Sequence, residues 1–327
     1  MPFIKIQVCR AIIVAVMALS LSAAAHANSQ PFESWLQDLR ADARAEGISD
    51  QTIQEALSNI QPIARVIELD RKQPEGRMSF AQYKKKVINQ QRIDTGRELY
   101  QAYGNELRSI SAEYGVPPQY IVALWGLETS YGNNTGGFKV IPALATLAYD
   151  GRRASFFRKE LINALKIIDG GHISAQNMKG SWAGAMGQNQ FMPSSFHAYA
   201  VDGNGDGRRD IWNTIPDVFA STANYLSTSG WRGDEKWGRA VTLPSGFPKN
   251  LTGLETKKSL QEWASMGVTA GNGQSLQGPN LEASIVTPDG LSGPAYIVYG
   301  NYRVIMKWNK STYFATTVGL LADAIAR

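Results

Sequence analysis

Pro117-Pro118-Gln119-Tyr120-Ile121-Val122-Ala123-Leu124-Trp125-Gly126-Leu127-Glu128 decides the fold. Prolines in the first turn of a helix forfeit no hydrogen bond, and Gly132-Asn133 supplies a stop, so this stretch is predicted as a helix of about three to four turns. Its apolar stripe falls at Ile121, Leu124 and Trp125, and the next place on that stripe is taken by Glu128. Taking a carboxylate out of water disfavours its charged form, which suits a general acid that must hold a proton near neutral pH. The partial negative charge at a helix C-terminus acts in the same direction. The alternative is a buried Glu satisfied by an Arg or by backbone donors. Trp125 and Tyr131 lie along the same side and offer a low-dielectric wall, a platform for a sugar ring, or ordinary core packing.

Downstream, Gly180-Ser181-Trp182-Ala183-Gly184-Ala185-Met186-Gly187-Gln188-Asn189-Gln190-Phe191-Met192-Pro193-Ser194-Ser195 combines small residues with donors and acceptors. The small residues permit close backbone approach, and Ser181, Gln188, Asn189 and Gln190 suit a ligand rich in hydroxyls and amides. Tight helix packing would explain the glycines but not the polar run. A further segment, Asp202-Gly203-Asn204-Gly205-Asp206-Gly207-Arg208-Arg209-Asp210, follows the EF-hand loop. Asp202, Asn204 and Asp206 stand at positions for oxygen ligands, with the Arg208 carbonyl next. Asn213 stands where the loop's closing Glu is expected, and Asp217 is the nearest later carboxylate. Structural calcium is one reading of this loop and a metal-free set of Asx turns the other.

The remaining chain frames these features. Lys5 and Arg10, the apolar run Ala11 to Ala25, and Ala25-His26-Ala27 read as a cleaved secretory signal, residues 1–27, and predict a periplasmic protein without a transmembrane anchor in its mature form. Cys9 is the sole cysteine, so the mature chain has no disulfide and depends on its core. Loss of Lys5 and Arg10 lowers the formal charge from +5 to +3, and no Lys/Arg run is dense enough to indicate nucleic acid. Residues 28–110 read as a helical flank, 111–241 as the functional core, and 242–327 as a C-terminal segment packing on the flank. In that segment Ala295–Tyr299 and Tyr302–Met306 are β-prone, and residues 312–326 form a final helix. The fold class is mainly α with a small β element near the C-terminus. His172 and His197 stand apart, which leaves zinc and Ser-His-Asp chemistry without support, and the Gly-rich stretches lack a phosphate-loop Lys.

Gly126-Leu127-Glu128-Thr129-Ser130-Tyr131-Gly132, Arg152-Arg153 after Ala145-Thr146-Leu147, the 180–195 segment and Asn224-Tyr225-Leu226 together resemble the membrane-bound lytic murein transglycosylase B family, in order over most of residues 105–325. The resemblance implies a lysozyme-like fold and cleavage of the β-1,4 bond between N-acetylmuramic acid (MurNAc) and N-acetylglucosamine (GlcNAc) in peptidoglycan. It implies Glu128 as acid and then base, glycan contacts from Ser181, Gln190, Tyr225 and Asn309, and Arg152 and Arg153 lining the groove. It also implies that the substrate's own C6 hydroxyl is the nucleophile, giving a 1,6-anhydro product with no cofactor, whereas ordinary glycoside hydrolysis uses a second carboxylate. Glycan strands are the implied partner, and other cell-wall enzymes are compatible with it. A water-using muramidase and a non-catalytic murein-binding protein stay open as alternatives. Two departures from the family pattern stand out: Gln188-Asn189 in place of an aromatic and a Gly, which bears on one sugar subsite, and Trp308-Asn309 with Tyr313-Phe314 in place of tyrosines around an Asn.

Overall fold

The computed structural model describes residues 30–72 and 78–327, so the expected export signal lies outside the described residues. The first helices are α1 (Phe32–Ala45), α2 (Asp50–Leu57), α3 (Ala64–Arg71), α4 (Phe80–Val87), α5 (Gln90–Ala102) and α6 (Gly104–Tyr114). Then come α7 (Pro118–Thr129), β1 (Phe138–Lys139), α8 (Val140–Asp150), α9 (Ala154–Asp169), β2 (Lys179–Gly180), α10 (Pro193–Tyr199) and α11 (Ile215–Thr228). The chain closes with β3 (Gly238–Thr242), β4 (Lys258–Ser259), α12 (Leu260–Ser265), β5 (Thr269–Ala270), β6 (Glu282–Val286), β7 (Ala295–Val298), α13 (Gly300–Trp308) and α14 (Thr312–Ile325). The mainly helical fold with a small β element near its C-terminus is as expected.

At the centre lies α7. Pro118 sits in its first turn, and Tyr120 through Gly126 are all buried, so the helix is apolar around its whole circumference rather than along one stripe. Such a helix must be enclosed on every side, and α5, α6, α11 and α14 enclose it. Ile121, Trp125, Val218, Phe219, Val318 and Leu321 belong to that core. A second core joins α1 and α2 to α8, α9 and α10 through Leu36, Leu39, Ile53, Leu57, Leu144, Leu165 and Phe196. The N-terminal helices therefore do not form one separate flank. The first of them pack on α8 and α9, while α4 and α5 meet α14 and α7.

The five strands after residue 237 pair antiparallel in the order β4-β6-β7-β3-β5. A third core, with Leu260, Trp263, Ile285 and Ile297, lies against this sheet. β3 spans the boundary expected at 241/242, and β7 returns beside it, Gly238 opposite Val298. The β-prone run Tyr302–Met306 is helical, inside α13. Its side chains explain why: Asn301, Tyr302 and Ile305 are buried at helical spacing with Trp308 next on the same face, a pattern that overrides the local β preference.

Candidate active site

The last turn of α7 is held unusually firmly. Ser130, Tyr131 and Gly132 follow the helix in left-handed conformations, with φ of 50°, 61° and 82°. Left-handed Ser and Tyr carry a steric cost that surrounding contacts must offset. The Tyr131 hydroxyl donates to the Arg92 carbonyl at 2.7 Å, and the Gly132 N–H donates to the Thr129 hydroxyl at 3.1 Å. Trp125 Nε1 donates to Gln188 Oε1 at 2.7 Å, and Gln188 Nε2 donates onward to the Trp212 carbonyl at 2.9 Å. Any Cβ at Gly132 would collide with that Gln188 amide, so the turn requires Gly. Trp125 and Tyr131 are buried and act as packing and wall, not as a stacking platform.

This scaffold presents Glu128 half-buried, with one hydrogen bond to its carboxyl: Trp308 Nε1 donates to Oε1 at 2.8 Å. Burial pushes the carboxyl up from 4.5 to about 7, against the opposing effect of the Trp308 hydrogen bond. Neither cause is a neighbouring charge. The acid is therefore about half protonated at neutral pH and able both to give and to take a proton.

Around it stand aromatic rings. Trp308 lies 4.7 Å from Tyr225 and 5.3 Å from Phe191, ring centre to ring centre, and Tyr225 lies 4.3 Å from Tyr199. Trp308, Tyr225 and Tyr199 are each only partly buried. Burial, and then Tyr199, pushes the Tyr225 hydroxyl up to about 12, so it stays a neutral donor. Tyr83 of α4 reaches the same region, its hydroxyl raised first by burial and further by the Glu128 charge, with Thr317 opposing.

Two of these residues escape a reading of the sequence. Trp308 enters it only as the neighbour of Asn309, although its helical phase with Tyr302 and Ile305 is an available signal. Tyr83 has none, because nothing in the sequence ties α4 to a Glu 45 positions later.

The expected glycan-contact residues divide into groups. The Ser181 hydroxyl accepts the N–H groups of Ala183 and Ala185, at 3.3 and 3.0 Å, and so shapes the glycine loop. Gln190, left-handed at φ 52°, donates from Nε2 to the carbonyls of Thr135 and Gly187 at 3.1 and 2.9 Å. Both side chains are partly exposed. Gln188 and Asn189 differ from expectation: both are buried, and Asn189 Nδ2 donates to the Val218 carbonyl and the Thr222 hydroxyl at 2.8 and 2.7 Å. Asn189 braces the loop against α11 and Gln188 braces it against α7 and Trp212, so neither faces a sugar subsite.

Asn309 is exposed directly after α13, and its Oδ1 accepts the Ser311 N–H at 3.0 Å. Phe314 is buried, and the Tyr313 hydroxyl donates to Asp289 Oδ1 at 3.4 Å. Arg152 and Arg153 are committed to Asp70, a residue that the sequence does not single out. Arg152 Nε and Nη2 donate to it at 2.7 and 2.6 Å, and Arg153 Nη2 at 3.0 Å. The Arg152 hydrogen bond, outweighing desolvation, holds the Asp70 carboxyl below the usual carboxylate range. Asp70 is 3% exposed while the two guanidinium side chains are about half exposed, so both Arg residues are fixed from below and open above.

In the 202–217 loop, Asp202 accepts the N–H groups of Gly205 and Gly207, each at 2.7 Å, and Asn204 and Asp206 make the following turns with Asp206 and Arg208 N–H at 3.1 and 2.9 Å. Asp217 Oδ1 accepts the Gly203 N–H at 2.9 Å and Oδ2 the Asp210 N–H at 2.6 Å. Burial raises the Asp217 carboxyl, and the charges of Asp202 and Asp206 add to it. Asn213, at the closing position, pairs instead with Asp210 at 3.1 Å. The donors are all oxygen and suit a hard cation, but among the described residues no three His, Cys, Asp or Glu side chains converge as a metal-holding group.

A helical bundle carrying one half-buried Glu at the end of its central helix, aromatic rings beside it and a glycine-rich loop opposite defines a glycan-cleaving class of site. Residues 31–323 match the transglycosylase SLT domain, and the chain belongs to that family. It is 35% identical over 297 residues to membrane-bound lytic murein transglycosylase B of Escherichia coli K12, covering 86% of this chain and 79% of that protein. SltB3 of Pseudomonas aeruginosa, solved in complex with NAG-anhNAM-pentapeptide, superposes with a TM-score of 0.89 at 43% identity, over 91% of this chain and 80% of SltB3. The E. coli lytic transglycosylase Slt35, solved in complex with calcium, superposes with a TM-score of 0.77 at 33% identity, over 91% of this chain and 93% of Slt35. The fold is therefore that of the lysozyme-like lytic transglycosylases.

Proposed function

We propose that this protein is a lytic transglycosylase that cleaves the MurNAc–GlcNAc β-1,4 bond of peptidoglycan and releases 1,6-anhydromuramoyl products. The observation that carries the reading is the state of Glu128: buried enough to keep its proton to about 7, and shifted by no neighbouring charge. In the first step Glu128 donates its proton to the glycosidic oxygen as the C1–O bond breaks, and the GlcNAc alcohol leaves. The carboxylate then takes the proton of the muramoyl C6 hydroxyl as that oxygen bonds to C1. Glu128 ends as it began, and no water is consumed. Intramolecular attack needs the sugar held in one geometry more than it needs an activated nucleophile. Trp308 and Tyr225 supply flat faces for that purpose, Ser181, Gln190 and Asn309 polar contacts, and Arg152 and Arg153 a cationic edge for the lactyl or peptide carboxylates.

The chemistry requires no cofactor. Mass spectrometry of the muropeptides released from sacculi is the test. Products one water lighter than the hydrolytic ones are expected; hydrolytic products would instead make the protein a muramidase, and none at all would make it a murein-binding protein.

For a protein acting on glycan strands, the n-region, apolar run and Ala25-His26-Ala27 support export to the periplasm by a cleaved signal, residues 1–27. Among the described residues no helix is long and apolar enough to cross a membrane. A structural calcium in the 202–217 loop is supported by the spacing of Asp202, Asn204, Asp206, the Arg208 carbonyl and Asp217.

A further inference from the structure

The two ends of α7 face different surroundings. Glu128 is at the C-terminal end, whereas Gln119 and Tyr120, in the first turn, line a cavity of about 590 Å³ that lies between the helical bundle and the sheet. Nine residues along a helix is about 13 Å, so this cavity is separate from the aromatic groove. Its floor is apolar and aromatic, from Leu260, Leu281 and Tyr299. Its charges are of both signs: Lys236, Arg239 and Arg327 on one hand, Asp234 and Asp323 on the other.

Of these, Arg239 is the one that keeps a buried donor unpaired among the described residues. Its Nη2 donates to the Gln277 carbonyl at 2.7 Å, but its Nε is buried without an acceptor among the described residues. A buried guanidinium N–H left unpaired is costly and uncommon in a settled interior. The guanidinium also donates to the Tyr299 hydroxyl, a polar but uncharged acceptor, so no carboxylate among the described residues is bonded to it. In the same lining, Asp323 Oδ2 accepts Trp237 Nε1 at 3.1 Å, which fixes a carboxylate at the wall. Burial raises that carboxyl, and the Trp237 hydrogen bond and then the Lys236 and Arg327 charges oppose the rise.

A cavity of this size holds a short peptide rather than a single ion, and typical small-ligand sites run from about 300 to 1,000 Å³. A wall with an under-used guanidinium and a fixed carboxylate matches a ligand bearing both a free carboxylate and a free amine. We infer that this cavity is a second binding site, for a short zwitterionic peptide of the kind that stems from the murein glycan. The peptide's source rests on the function proposed above; the site itself rests on the cavity and its charges. The peptide carboxylate pairs with Arg239 and Lys236, its amine with Asp323 and Asp234, and its aliphatic part lies on Leu260 and Leu281.

Calorimetric titration of the full protein with a sugar-free stem pentapeptide tests this. Saturable binding is expected, weakened at least tenfold by Arg239→Gln and several-fold by Lys236→Glu. Lys236 is exposed, so that variant keeps the test valid even if Arg239→Gln unfolds. A pentapeptide whose carboxylates are all amidated is expected to bind at least tenfold more weakly than the free acid. Absence of binding to the unmodified protein, equal binding by both variants, or displacement of the peptide by equimolar inorganic phosphate would each overturn the inference. Anhydro products without peptide binding would remove this site and leave the transglycosylase reading intact, and the reverse result would do the opposite.

Discussion

Replacing Glu128 by Gln should abolish turnover and stabilise the protein at the same time, by an amount that depends on pH. Burial lifts the carboxyl from 4.5 to about 7. Between those values the native state holds a proton that the unfolded chain has released, so this group's contribution to stability falls as pH rises through the window and is constant above it. At about 1.4 kcal/mol per tenfold change in acidity, the raised carboxyl of Glu128 costs the native state about 3 kcal/mol at pH 8, where it is ionised, and under about 1 kcal/mol at pH 5, where it still holds its proton. A neutral amide in its place carries no such cost. The amide oxygen can still accept the Trp308 N–H, and the group as a whole mimics the protonated acid. The variant should therefore melt on the order of 6 °C higher than the parent at pH 8 and about 1–2 °C higher at pH 5. Turnover should fall by about 10³-fold or more, since an amide can neither give nor take the proton. Calorimetric melts at both pH values and a turbidity assay on sacculi read the two effects. A melting gain that is the same at both pH values would refute the claim of a buried, proton-holding acid, and comparable clearing of sacculi would refute its catalytic role.

Trp308→Phe removes the donor that favours the charged carboxylate, so the alkaline limb of the kcat/KM profile should move up by about 0.5–1 pH unit; a downward move, or none, counts against that hydrogen bond. Tyr225→Ala strips a ring from the groove and should raise KM about 3- to 10-fold with kcat little changed, and steady-state kinetics on soluble muropeptides show whether the loss falls in kcat instead. Gly132→Ala places a Cβ against the Gln188 amide at a φ of 82° and should cost about 2–4 kcal/mol in denaturant unfolding; a cost under about 0.5 kcal/mol would mean that the turn is adaptable. Calcium at about a hundred times its dissociation constant should raise the melting temperature on the order of 5 °C, and Asp202→Ala should remove the effect; a melt indifferent to calcium and to chelator rules out the loop as a calcium site.

Much of the site can be read from the chain because its chemistry is concentrated in short stretches. Glu128 on an apolar helix, with a proline start and a glycine stop, carries the acid, the helix and its burial together. The glycine loop is also visible, yet the inward turn of Gln188 and Asn189 is not, since an amide that braces a loop and one that meets a sugar are the same residue in a sequence. Trp308 and Tyr83 are hidden for a different reason. Trp308 reaches Glu128 from α13 and Tyr83 feels its charge from α4, and the long-range packing of α14 against α7, α5 and α4 brings those elements together. Asp70 is invisible in the same way: its meaning lies in Arg152 and Arg153, 82 and 83 positions away. The strand preference at Tyr302–Met306 fails because burial at helical spacing decides the outcome.

The pairing of β3 with β7 has a consequence of its own. The chain leaves the bundle after α11 and re-enters it at α13 through two strands locked side by side. A loop within residues 243–294 could change length with the two anchoring strands and the Asp289 contacts to Phe80, Ala81 and Tyr313 left in place, and Trp308 would still come back to Glu128. A chain cut anywhere ahead of α13, by contrast, would lose the tryptophan that touches Glu128, so the proposed site is complete only once nearly all of this sequence has been made.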